Sequence, residues 1–304
     1  MGLESWYMRP AERGRLGYVR TSSLSPCAVV ALAAIAALAV SGCGSNVLSG
    51  NAVAAGGPSE ATPPLTAGGA TPVIASKSAV PQWIDASGAP VTVLPRDDVD
   101  HAQFSAIPQA GTKILHATDG AGDLDLCTLG PTVTADGRTG FLTAGHCVLG
   151  AYSPDQYLQT TAGGATEMFG IAGQAVADAT QDSTVIWANT TADPRSAKIA
   201  GLPVVGAMTE AEVKVLPPGT PVCFDGAKSG VTCGPLIDAG GGVIYFGKGA
   251  VGGDSGAPVF VVDRDGRATV IGLLARTDDD SRASTATYTA PALARLGVTI
   301  VTAP

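Results

Sequence analysis

The chain has 304 residues, of which only 14% are charged, with 40 Gly and 21 Pro, a turn-rich composition that suits short strands better than long charged helices. Its formal charge of −8 comes without a basic cluster able to neutralise phosphates, which argues against nucleic acid as a partner. The length allows one all-β domain with appendages.

At the N-terminus Arg9, Arg13, Arg15 and Arg20 precede an unbroken apolar run over 28–40 and then the small residues Ser41 and Gly42, the order of an export signal. The run is shorter than the roughly twenty residues a spanning helix needs. Val40-Ser41-Gly42-Cys43 resembles the bacterial lipobox. That resemblance implies a signal peptide over 1–42, a lipid on Cys43 and anchorage on the outer face of the cytoplasmic membrane; the alternative is a plainly secreted protein. If Cys27 leaves with the signal and Cys43 carries lipid, the even remainder points to two disulfides in an oxidising compartment. Of the three possible pairings, Cys127 with Cys147 and Cys223 with Cys233 are favoured because each closes a short loop. Zinc-type Cys-x2-Cys spacing is absent and histidine is scarce, so neither a metal nor another cofactor is expected.

From Gly44 to about Val80 the chain is Ala, Gly, Ser, Thr and Pro, which cannot bury enough surface to offset its ordering entropy and reads as a tether. Residues 81–110, with Trp83 and the acidic Asp97, Asp98 and Asp100, read as a loosely packed lead-in, so that 43–111 precedes a domain at 112–304. Within that domain short apolar or alternating runs at 124–129, 140–144, 182–188, 212–216, 242–246, 257–262, 268–274 and 298–302 predict strands of a sandwich or barrel. Two short helices are suggested at 209–213 and 290–296.

Gly252-Gly253-Asp254-Ser255-Gly256-Ala257-Pro258 places a serine between glycines just before an apolar strand. Glycines permit a tight turn with adjacent N–H groups, and a nucleophilic serine needs such donors about 2.7–3.1 Å from the developing oxyanion. Phe141-Leu142-Thr143-Ala144-Gly145-His146-Cys147 ends an apolar strand on a histidine, the anchored position a general base requires. His101 and His116 lie in or beside the lead-in. Asp182 opens the run 182–188 between that histidine and the serine, where a carboxylate can fix the imidazole tautomer and stabilise the imidazolium; Asp178 is its rival.

In the order His146, Asp182, Ser255, and in the motifs Leu-Thr-Ala-Gly-His-Cys and Gly-Asp-Ser-Gly, the stretch 112–304 resembles the chymotrypsin-like serine peptidases, within them the bacterial streptogrisin and α-lytic protease group. The resemblance implies an all-β fold of two six-stranded β-barrels with the site in the cleft between them. It further implies a catalytic triad of His146, Asp182 and Ser255, the N–H groups of Gly253 and Ser255 as oxyanion hole, the two short-loop disulfides and a polypeptide substrate. Ala257 stands where the group usually has Gly. Ala275 and Arg276 interrupt Ile271-Gly272-Leu273-Leu274-Ala275-Arg276-Thr277, where the group's Gly-Leu-Thr-Ser-Gly-Gly pairs with the substrate backbone. Gly249, flanked by Lys248, occupies the position at which trypsin-like members carry Asp, which disfavours cleavage after Lys or Arg. No large folded pro-domain is expected, whereas Lys113-Ile114 resembles an activation cleavage whose new amine would pair with Asp254. Two competing readings are a non-catalytic peptidase-like binding module, its cleft closed by Arg276, and a serine esterase on the same fold.

Overall fold

The computed structural model describes residues 83–88, 91–118, 124–189, 193, 197–278 and 282–304. The expected signal sequence, Cys43 and the expected tether lie outside the described residues. Among the described residues no helix is long and apolar enough to cross a membrane.

The first sheet comprises β1 (Lys113–Ala117), β2 (Leu124–Thr128), β3 (Thr132–Ala135), β4 (Arg138–Thr143), β5 (Asp155–Gln159), β6 (Thr166–Ala172), β7 (Val176–Ala177) and β8 (Asp182–Ala188). The second comprises β9 (Lys198–Ile199), β10 (Leu202–Ala207), β11 (Pro221–Gly226), β12 (Gly230–Asp238), β13 (Val243–Phe246), β14 (Pro258–Val262), β15 (Ala268–Asp278) and β16 (Ala283–Tyr288). The last strand, β17 (Thr299–Ile300), returns to β3 of the first sheet.

In the second sheet the order β14-β11-β12-β13-β16-β15 closes on itself through β14–β15 pairing, giving a six-stranded barrel with β10 and β9 appended. The first sheet runs β17-β3-β4-β8-β6-β5-β1-β2, with β7 on β8. Its two ends are joined by the chain, because β2 bends into β3: Leu129 N donates to Thr112 O at one side of the corner and Gly130 N to Leu142 O at the other. The outcome is the all-β, two-barrel architecture the sequence suggested.

The strand period of two explains how the barrels are joined. All of β14 is buried. Val259 and Val261 point into the second barrel with Phe224, Phe246 and Ile271. Phe260 and Val262 face the other way, against Val133, Leu142 and Val185 of the first sheet. The first barrel keeps its own interior of Ile114, Leu129, Phe141, Leu158, Phe169 and Ile186. With roughly 1.5–3 kcal/mol for each large side chain fully buried, this shared layer helps hold the two barrels together.

Two expectations are corrected. The run 212–216 is not a strand; the helix expected over 209–213 forms as α1 (Glu210–Lys214), because Thr209 Oγ1 accepts from Glu212 N while the Glu212 carboxylate accepts from Thr209 N, a capping box. The second helix, α2 (Thr289–Leu296), is where it was expected and ends on Gly297 at φ 65°. The lead-in is packed rather than loose. Asp97, Ala102, Gln103, Phe104 and Ala110 are buried, and Lys113, itself 3% exposed, places Nζ 3.0 Å from Asp97 and 2.9 Å from Asp100. Gln159 also donates to Asp97. The Val99 N–H above all, with Gln159 and Lys113, holds the Asp97 carboxyl well below the usual carboxylate range despite its burial. Ion pairing buries this segment without an apolar pattern, so packing continues across the boundary at 112.

Candidate active site

His146 follows β4 in a single 3-10 turn, Gly145–Cys147. Gly145 has no alternative there, since a Cβ would lie 2.0 Å from Val176 O and 3.0 Å from Ser183 N. This close approach sets the turn against the start of β8. Asp182, the first residue of β8, is 5% exposed, and its carboxylate accepts from the His146 N–H at 2.8 Å and meets His146 Nδ1 at 2.6 Å. One carboxylate therefore holds both the backbone and the ring of His146, leaving Nε2 as the free ring nitrogen. The side chain of His146 is 41% exposed, so that nitrogen can meet a substrate. Asp178 does not compete: its exposed carboxylate is occupied by Thr180 N, Thr180 Oγ1 and Gln181 N, which lower its pKa.

Ser255 sits on the turn before β14. Gly253 and Gly256 flank it with φ of 101° and 85°, and a Cβ on Gly256 would lie 2.1 Å from Thr143 Oγ1 and 2.8 Å from Ala144 N. The serine turn is thus pressed onto the end of β4, immediately before the His146 turn. Cys147 Sγ lies 3.9 Å from Ser255 O. Within the turn Asp254 N donates to Val251 O and Gly256 N to Leu274 O. The N–H groups of Gly253 and Ser255 and the Ser255 hydroxyl carry no hydrogen bond among the described residues. Two uncommitted donors thus flank an uncommitted hydroxyl.

Disulfides Cys127–Cys147 and Cys223–Cys233 are both formed. The first ties the His146 turn to β2. Each of the two clusters of metal-ligating residue types among the described residues contains one of these bridges, Cys127-His146-Cys147 and Asp85-Cys223-Cys233, so neither offers thiolates to a cation.

Several supporting residues carry no sequence motif. Thr128 clamps the serine turn from the first barrel: its N–H donates to Ser255 O at 2.8 Å and its Oγ1 to Gly253 O at 2.8 Å. Reciprocally, Thr287 Oγ1 donates to Asp182 O at 3.4 Å, and Arg295 Nη2 of α2 donates to Ser183 O and Oγ at 2.7 and 2.8 Å. Asp254 is fully buried, yet its carboxylate is filled by Lys228 N, Ser229 N, Ser229 Oγ and Val251 N. The Lys113–Ile114 bond lies inside buried β1, with the Lys113 ammonium paired to Asp97 and Asp100. Asp254 therefore has its partners in the uncleaved chain, and the expected activation amine has no role in this arrangement. His116, set aside as part of the lead-in, is a buried β1 residue whose imidazolium is disfavoured first by burial and then by His146 nearby, against the opposing charge of Asp125.

No protein-family model matches the chain, and no curated protein does. Among solved structures it is similar to Thermobifida fusca Protease A, with 22% identity over 64% of this chain and 98% of that one and a TM-score of 0.47. It is also similar to an α-lytic protease homologue, N4, with 22% identity over 63% and 97% and a TM-score of 0.43. A glutamic acid-specific serine protease gives 18% identity over 64% and 100% and a TM-score of 0.45. At these values nothing about activity or substrate carries over.

Proposed function

We propose that the chain is an exported serine endopeptidase that cleaves peptide bonds with Ser255 as nucleophile, His146 as general base and Asp182 as the group that orients the histidine. The observation that carries this reading is the serine turn: a free hydroxyl between two free N–H groups, pressed against the turn that bears a histidine fixed by a buried carboxylate. His146 Nε2 takes the Ser255 proton as Oγ attacks the substrate carbonyl. The N–H groups of Gly253 and Ser255 receive the oxyanion, a contact that in such sites is worth about 10²–10³ in rate per donor. Asp182 stays ionised and stabilises the imidazolium, which then passes its proton to the departing amine. Water repeats the sequence on the acyl-enzyme. Export and a lipid anchor on Cys43 belong to this proposal through the N-terminal signal; the two disulfides suit an oxidising compartment.

A fluorophosphonate probe tests the reading. Ser255 in the folded protein should acquire one covalent adduct and lose peptide turnover in proportion, with Ser255→Ala unlabelled. A folded, disulfide-intact protein that does not react would instead indicate a peptide-binding module.

A further inference from the structure

A pocket of about 100 Å³ opens beside Ser255, walled by Ala250, Val251 and Gly252 on one side and by Leu274, Arg276 and Thr277 on the other. The Ala250 N–H and the Thr277 hydroxyl of its wall are already spent. Ala250 N donates to Ser284 Oγ, Thr277 Oγ1 donates to Ala250 O, and Ser284 Oγ donates to Lys248 O. No carboxylate and no histidine stands among these wall residues, and Arg276 is their one formal charge. The Arg276 guanidinium is exposed, its single hydrogen bond is the 3.3 Å contact from Nη2 to Asp178 O, and no carboxylate lies within ion-pair reach among the described residues.

Arg276 thus puts a guanidinium with no carboxylate partner among the described residues beside the serine, in a chain whose 26 acidic residues outnumber its 18 basic ones. The strand is also adapted there. The register of β15 against β16 shifts between Leu274 and Arg276, and a bulge of this kind re-aims a side chain. Guanidinium offers five donors in a fork that matches a carboxylate. We propose that this pocket takes an acidic side chain of the substrate, at the residue whose carbonyl Ser255 attacks, with Arg276 as its charge partner. The inference rests on the peptidase reading and deepens it: a basic side chain would meet a like charge and find no counter-ion in the wall.

The test is a set of peptides identical except at that residue, carrying Glu, Asp, Gln, Leu or Arg. The better of Glu and Asp should exceed Gln in kcat/KM by about tenfold or more, the scale of a charge-assisted hydrogen bond. The ratio should shrink with added salt. Arg276→Gln should bring the acid-to-amide ratio close to one, and Arg276→Glu should turn the preference toward Arg. Equal turnover of Glu and Gln peptides by the wild type, or a ratio that survives Arg276→Gln, overturns the pocket assignment while fluorophosphonate labelling of Ser255 leaves the peptidase reading standing. Absence of both labelling and cleavage overturns both.

Discussion

The two barrels contribute unlike halves of one site. The first supplies a histidine and a carboxylate 36 positions apart in sequence, joined by two hydrogen bonds, with a disulfide tying the adjacent Cys147 to β2. The second supplies a serine whose turn is specified almost entirely by its own neighbours, Gly253, Asp254 and Gly256. Each half is nevertheless held by the other: Thr128 of the first barrel clamps the serine turn, while Thr287 and Arg295, beyond the first sheet, grip Asp182 and Ser183. Proton handling thus depends on assembly across the chain, whereas the glycines that shape the nucleophile's turn are its own neighbours.

The sharpest way to break this comparison lies within the first barrel. Asp182→Asn should lower kcat by about 10⁴, because the amide favours the wrong imidazole tautomer. Asp178→Asn, which only loosens an exposed turn, should stay within about twofold. Peptide kinetics on the two variants decide it, and the reverse order would mean that the observed His146–Asp182 bond is not the working one.

Next come the bridges, one per barrel. Opening either by paired Cys→Ala substitution should cost about 2–5 kcal/mol in denaturant unfolding, more for Cys127–Cys147, which closes a separation of 20 residues against 10 for Cys223–Cys233. The first should also depress kcat in molecules that remain folded, since it braces the His146 turn.

A pH effect in the second barrel sharpens the contrast further. Asp225 of β11 is buried, and burial first, then the Asp254 charge, pushes its carboxyl up to about 7, against the opposing pull of Gln103 and Arg96. An acid raised in the folded state keeps its proton between about pH 4 and 7 while the unfolded chain loses it. The folded state then binds more protons, so this group makes stability fall as pH rises through that window, by at most about 1.4 kcal/mol per unit, and the loss levels off above pH 7. Thermal melts of Asp225→Asn should show a flatter decline from pH 4 to 7 than the wild type.

The local chemistry was readable in the residues themselves. Apolar or alternating runs predicted β2, β4, β8, β13, β14, β15 and β17, the Gly-rich turn marked Ser255, the end of an apolar strand marked His146, and short cysteine spacings suggested both bridges, because each is decided by neighbours a few positions away. Over 209–216 the residues suggested both a short helix and a strand, and the Thr209–Glu212 capping box decides for the helix. Thr128, Thr287 and Arg295 carry no motif, and the acidic residues of the lead-in looked solvated until Lys113 was seen buried between two of them. Likewise, Asp182 and Asp178 are both aspartates near the start of one strand. Which of them meets the imidazole depends on how the His146 turn docks on β8, and that Arg276 lines the pocket beside Ser255 depends on how β15 runs past the serine turn. Those are long-range contacts, set by burial and distance among residues far apart in the chain, so tertiary structure alone decided them.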